Sequence, residues 1–184
     1  MLALVNTTGQ RPRNLILIGF MGTGKTTIGK RVAKSLGFKF VDTDSLIEKK
    51  AGKPIVQIFK DSGEDAFRSL ETEILKECGR KSGQVISTGG GIVTRPENLE
   101  LLKEAGYVIW LKASPEIIFE RVSRNRSRPL LQTGNPQKTI DDLLSKRAGL
   151  YAGAQHLSIN TDELTMEETC FGVTESTKLA LGID

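Results

Sequence analysis

The sequence predicts an α/β fold: a parallel sheet with helices packed on both faces. Three observations carry this. Short apolar runs alternate with helical patterns along the whole chain, the order that parallel sheets require. A glycine-rich segment, Gly19-Phe20-Met21-Gly22-Thr23-Gly24-Lys25-Thr26, lies between the first apolar run and the first helical pattern. The residues best suited to hold a ligand follow the apolar runs, and sheets of this class bind ligands beyond the carboxyl ends of their strands.

The elements can be justified in order. The polar stretch 6–14 reads as a loose extension, so residues 1–13 are expected to be flexible and 14–184 to form one domain. Leu15 to Ile18 reads as the first strand. The helix after the glycine-rich segment carries Ile28, Val32 and Leu36 on one stripe and stops at Gly37. Phe38 to Val41 is the second strand, Val85 to Thr88 the third, Tyr107 to Leu111 the fourth and His156 to Asn160 the fifth. Between them, Phe67, Leu70, Ile74, Leu75 and Cys78 mark a core-facing helical stripe. Further helices are expected over Pro96 to Ala105, Pro115 to Arg124, Ile140 to Tyr151 and Met166 to Leu181. Neither an internal repeat nor a linker interrupts this order.

Composition narrows the function class. The chain has 184 residues, 38% hydrophobic and 26% charged, as expected of one globular domain with a normal core. No apolar run reaches the length of a membrane span, and residues 1–14 lack the apolar core of a secretion signal, so a cytoplasmic location is expected. Cys78 and Cys170 have no metal-ligand spacing and read as small apolar residues on helices. The net charge of +4 suits anionic partners. Aromatic residues make up only 5% and do not alternate with basic ones, which argues against a nucleic-acid stacking surface.

The chemistry starts at residues 19–26, which match G-x-x-x-x-G-K-[ST] at each fixed position. In a strand–loop–helix context this pattern wraps backbone N–H groups around phosphates at a helix N-terminus. Gly22, Thr23, Gly24, Lys25, Thr26 and Thr27 are therefore expected to hold a nucleoside triphosphate. Lys25 would reach the β- and γ-phosphates and Thr26 would hold Mg²⁺. After the second strand come Asp42 and Asp44. If the chain stays extended they share a face. One carboxylate can then hold Mg²⁺ through water while the other accepts a proton from an attacking hydroxyl. The same segment also reads as a helix entry, with Asp44 or Ser45 as N-cap and capping-box spacing from Ser45 to Glu48.

Gly89, Gly90 and Gly91 follow the third strand. Three glycines together are costly to order and suggest close approach of backbone to a ligand. Arg68 lies beside the buried stripe, and Arg147 lies in a helix expected to return toward the site. Two arginines suit a carboxylate, which guanidinium forks match bidentately. Arg124, Arg126 and Arg128 stand in or at the root of a Pro- and Gly-containing stretch at 125–136. That stretch reads as a lid able to close over ATP and bring a positive charge to the transferred group. His156, the one histidine, reads as structural, and Trp110 as core.

Together these residues resemble the shikimate kinase family. The motifs run in order: GFMGTGKTTIGK at 19–30, FVDTD at 40–44, GEDAFRSLE at 63–71, STGGGIV at 87–93, RPLL at 128–131 and KRAGLY at 146–151. The resemblance covers about residues 14–162. It implies a P-loop three-layer α/β/α fold with a five-stranded parallel sheet in the order 2-3-1-4-5, a lid and a substrate-binding segment over about 44–71. It implies transfer of the ATP γ-phosphoryl group to the 3-hydroxyl of shikimate, on the route to chorismate and aromatic amino acids, by a monomer without nucleic-acid or membrane partners. By motif, Asp44 is the candidate base and binds the shikimate hydroxyls, while Asp42 and Thr26 serve Mg²⁺. Arg68 and Arg147 grip the shikimate carboxylate, and Gly89, Gly90 and Gly91 lie at the ring. Lys25 and Arg128 act on the phosphates. Arg121 is similar to the residue that packs on adenine, with Arg124 as the alternative. Gly149 stands where the family usually has proline, and Asn160 to Glu163 match the adenine-edge segment loosely. The alternatives weighed are a gluconate kinase, a nucleoside monophosphate kinase and a non-catalytic RNA-binding module.

Overall fold

The computed structural model describes residues 13–123 and 135–183. Arg124, Arg126, Arg128 and nearly all of the expected lid lie outside the described residues, as do residues 1–12 of the expected extension.

Five strands form one parallel sheet: β1 (Leu15–Ile18), β2 (Lys39–Asp42), β3 (Gln84–Ser87), β4 (Tyr107–Lys112) and β5 (Leu157–Asn160). Their order across the sheet is β2-β3-β1-β4-β5, as the resemblance implies. The central strand β1 pairs in parallel with β3 on one side, Leu15 opposite Val85, and with β4 on the other, Leu15 opposite Tyr107. All four β1 side chains are fully buried, because both faces of the sheet are covered. Alternation sorts them: Leu15 and Leu17 face one helical layer, Ile16 and Ile18 the other.

On the first face lie α1 (Lys25–Leu36) and α7 (Met166–Leu181). Ile28, Val32 and Val173 join Leu15, Leu17, Val85 and Ile109 there. On the second face lie α2 (Thr43–Ala51), α3 (Ile55–Gly79), α4 (Pro96–Ala105) and α6 (Pro136–Ala154). Ile47, Phe67, Ile74, Leu75, Leu102 and Tyr151 cover Ile16, Ile18 and Val108. Full burial of each such aliphatic side chain contributes about 2 kcal/mol. A smaller cluster of Phe20, Ile118, Val122 and Ile140 joins the phosphate loop to α6 and to α5 (Pro115–Ser123).

The expected strands form with ends shifted by one residue or less, and His156 precedes β5 rather than opening it. Three local expectations fail. Helix α2 is capped by Asp42, whose Oδ1 accepts from Ser45 N at 3.3 Å, not by Asp44 or Ser45. The Ser45–Glu48 capping box does not form; Glu48 Oε1 instead accepts from Ile55 N at the start of α3. Asp42 and Asp44 are not on one extended segment, because the chain turns helical at Thr43. The helix bearing the Phe67 stripe is also longer than its stripe, running from Ile55 with a kink at Gly63.

Candidate active site

The phosphate loop leaves the carboxyl end of β1, between β3 and β4. Gly22 (φ 80°) and Gly24 (φ 89°) adopt left-handed backbone, which side chains with a Cβ rarely take. Gly24 also precedes the first turn of α1, where a substituted residue would strain the entry to the helix. Lys25 is buried, and its Nζ donates to Gly19 O and Phe20 O, both at 2.7 Å. The Thr23 hydroxyl donates to Phe20 O at 2.8 Å and closes the turn. A cavity of about 460 Å³ opens over this loop, and Gly22 through Thr27, Asp42, Asp44, Gly90 and Arg121 all border it.

Thr26 Oγ1 lies 3.1 Å from Asp42 Oδ2 and 3.4 Å from Ser87 Oγ, at the mouths of β1, β2 and β3. These are all oxygen donors, the chemistry that Mg²⁺ prefers. Ser87 was not singled out in the sequence. The turn into α2, rather than an extended strand, brings Asp44 to the same cavity as Asp42.

Next to this cavity the substrate candidates meet. A Cβ built on Gly89 would stand 2.6 Å from Glu71 Oε1 and 2.7 Å from Asp44 Oδ1, so both carboxylates occupy the space that a side chain there would take. A Cβ on Gly91 would collide with the Arg68 guanidinium. The glycines thus make room for charged side chains of the site itself. Arg68 bonds Glu71 Oε2 at 2.5 Å and Glu64 Oε1 at 2.8 Å. Arg147 donates to Gly90 O at 3.2 Å, and its guanidinium lies 5.7 Å from the Phe20 ring centroid. The Tyr151 hydroxyl donates to the same carbonyl. Burial pushes the Tyr151 pKa up to about 12, so it remains a donor.

Glu71 is the residue that sequence reasoning missed. It is completely buried, and its Oε1 accepts no hydrogen bond among the described residues. Burial raises its carboxyl above the ordinary range; Arg68 and Arg147 pull the other way, and Asp44 adds to the rise. Burial works against the charge on Arg68, but Glu71 and Glu64 outweigh it and raise its pKa. One signal was available: position 71 follows Phe67 by four residues, so it shares the apolar stripe of α3.

At the other end of the cavity Arg121 bonds Thr161 and reaches toward Gly22 O, while Leu164 and Met166 line the wall. Arg128, the lid candidate, lies outside the described residues. His156 Nδ1 accepts from Val108 N at 3.0 Å, away from the site, and Trp110 stacks on Tyr151 at 5.4 Å, half-buried against the second-face core rather than within it.

Comparison with known proteins gives the family. The family model described as shikimate kinase matches residues 21–178. The chain is 51% identical over 156 residues to the shikimate kinase of Thermodesulfovibrio yellowstonii, covering 85% of this chain and 90% of that protein. It is 46% identical over 156 residues to that of Geobacter sulfurreducens, covering 85% and 86%. Among solved structures, the shikimate kinase from Acinetobacter baumannii in complex with shikimate superimposes with a TM-score of 0.85 at 38% identity, covering 90% of this chain and 92% of that one. A gluconokinase from Sinorhizobium meliloti superimposes with a TM-score of 0.57 at 16% identity, covering 91% and 94%, a likeness of fold alone. With a phosphate loop, paired aspartates and an arginine–glutamate pair converging beyond the carboxyl ends of the strands, and with relatives of this identity across most of its length, the chain belongs to the shikimate kinase family.

Proposed function

We propose that the protein transfers the γ-phosphoryl group of ATP to the 3-hydroxyl of shikimate, releasing ADP. The observation that carries this reading is the convergence of Asp44, Glu71 and Arg68 on Gly89 and Gly91, beside the phosphate loop. A compact polyol bearing a carboxylate needs both an acceptor for its hydroxyls and a cation for its carboxylate, and a nucleoside monophosphate, which carries no carboxylate, does not.

Residues 19–27 bind the triphosphate, and the α1 N-terminus favours its charge. Lys25 stabilises negative charge on the β- and γ-phosphates as it grows in the transition state. Thr26 and Asp42 hold Mg²⁺, with Ser87 beside them; when bound, the ion neutralises phosphate charge. Arg68 and Arg147 orient the shikimate carboxylate. Asp44 takes the proton of the attacking hydroxyl as its oxygen bonds to phosphorus and the β–γ bridging bond breaks. Arg121 packs on adenine. By its motif Arg128 acts on the phosphates, and 44–71 is the substrate-binding segment of a single domain spanning 14–184. We read the enzyme as a cytoplasmic monomer; no described helix is long and apolar enough to cross a membrane.

The test is ADP release with Mg-ATP and, in parallel, shikimate, gluconate or nucleoside monophosphates. Turnover with shikimate alone is expected. Turnover with another acceptor, and none with shikimate, would overturn the substrate assignment.

A further inference from the structure

Arg121 stands at the exposed end of α5, yet its guanidinium is held at several points. Nη1 lies 3.0 Å from Thr161 Oγ1 and 3.4 Å from Gly22 O, and Nη2 lies 3.1 Å from Thr161 O. Thr161 is itself 4% exposed. Its hydroxyl donates to Lys112 O at 3.0 Å, and its backbone N–H donates to the same carbonyl at 2.9 Å. With its proton directed at Lys112, that hydroxyl presents lone pairs to Arg121. One residue on, the Asp162 carboxylate accepts from Ser114 N at 3.1 and 3.0 Å. Ser114 immediately precedes α5, and its carbonyl accepts from Ile118 N in the first turn. Both ends of α5 are therefore fastened to the same dipeptide after β5.

An unrestrained arginine loses rotamer freedom when it stacks on a ligand, and one already fixed in place loses little. We propose that Thr161 is a positioning residue for the nucleotide: it fixes the Arg121 guanidinium at the wall of the nucleotide cavity, and so sets the affinity for ATP. Leu164 and Met166 line the same cavity and supply apolar surface for a base. The inference rests on the reading of Arg121 as the residue that packs on adenine.

The experiment compares Thr161→Val, Thr161→Ser, Arg121→Ala and the double variant Thr161→Val/Arg121→Ala. It measures KM for ATP, KM for shikimate, kcat, thermal midpoint, and binding of a fluorescent ATP analogue without acceptor. Removal of a hydrogen bond to a charged group predicts a rise of about tenfold in KM for ATP and in the analogue's Kd for Thr161→Val. KM for shikimate should not move, and kcat should stay within about twofold. Thr161→Ser should restore the parent values, and the double variant should bind no worse than Arg121→Ala alone. If Arg121→Ala weakens ATP binding but Thr161→Val lowers only the thermal midpoint, Thr161 is merely structural: the inference falls and the Arg121 reading survives. If Arg121→Ala leaves ATP binding unchanged, that reading falls and takes the inference with it. Should Thr161→Val not yield folded protein, Thr161→Ala makes the same deletion with less bulk and is read in the same way.

Discussion

Gly91 has φ −102° and ψ 1°, a backbone that other residues adopt. What requires glycine is the Arg68 guanidinium lying where a Cβ would be. Gly91→Ala should therefore push Arg68 out of its pairing with Glu71 and raise KM for shikimate about tenfold or more, the cost of breaking a partly buried charge pair. KM for ATP should stay near the parent value. Steady-state kinetics with each substrate varied in turn would check this, and an unchanged shikimate KM would refute the steric account. Three consecutive glycines were legible in the sequence as a place of close approach. That the approaching groups include the protein's own Asp44, Glu71 and Arg68 was not, because α2 and α3 deliver them from 18 or more positions earlier in the chain.

At the scale of elements, α3 is bent by one residue. Gly63 has φ 79° and ψ 177°, a conformation open almost only to glycine. A Cβ there would meet nothing within 4 Å, so any effect of substitution comes from the backbone alone. The bend lets the first part of α3 and the preceding α2 fold back over the second, where Lys50 of α2 bridges Glu73 and Glu77; Lys53 meets Asp61 on the first part. These exposed pairs contribute little on their own; the bend sets the path. Gly63→Ala should cost about 1–3 kcal/mol and lower the thermal midpoint by several degrees, roughly 2–4 °C per kcal/mol at this size. A melt that matches the parent would show that the segment relaxes into another path. The helical period around Phe67 revealed the second half of α3, because that half packs on the sheet. The first half exposes Val56 and Phe59 and so lacked a readable stripe.

Across the whole molecule, the sheet is tied at the starts of its strands by side chains that the chemistry does not use. Asn14 Nδ2 donates to Lys81 O and Ala105 O, and its Oδ1 accepts from Gln84 N. It thereby joins the starts of β1, β3 and β4. Just before the edge strand β5, His156 Nδ1 accepts from Val108 N, so the ring must be neutral at that nitrogen. Burial, and then Lys103, lower its pKa below the ordinary 6.5. The sign follows directly: the unfolded chain binds this proton more readily than the folded one. The contribution is complete above about pH 6.5 and is lost as pH falls through the lowered folded value. The thermal midpoint of the parent should thus drop more steeply from pH 7.5 to pH 5 than that of His156→Gln. Parallel profiles would remove His156 as the cause.

The sequence by itself determined the phosphate loop, the alternation of strands and helices, and the position of candidate ligand groups after strands. All of these are local: Gly22, Gly24, Lys25 and Thr26 must be close in the chain to wrap one phosphate group, and core stripes repeat at the helical period. Only the tertiary structure decided the buried Glu71 against Gly89, the Tyr151 donor to Gly90, and the hold of Thr161 on Arg121 across 40 positions. Each of these depends on which helix returns to which strand end. Spacing along a chain carries no information about contacts that parallel crossovers create between distant segments.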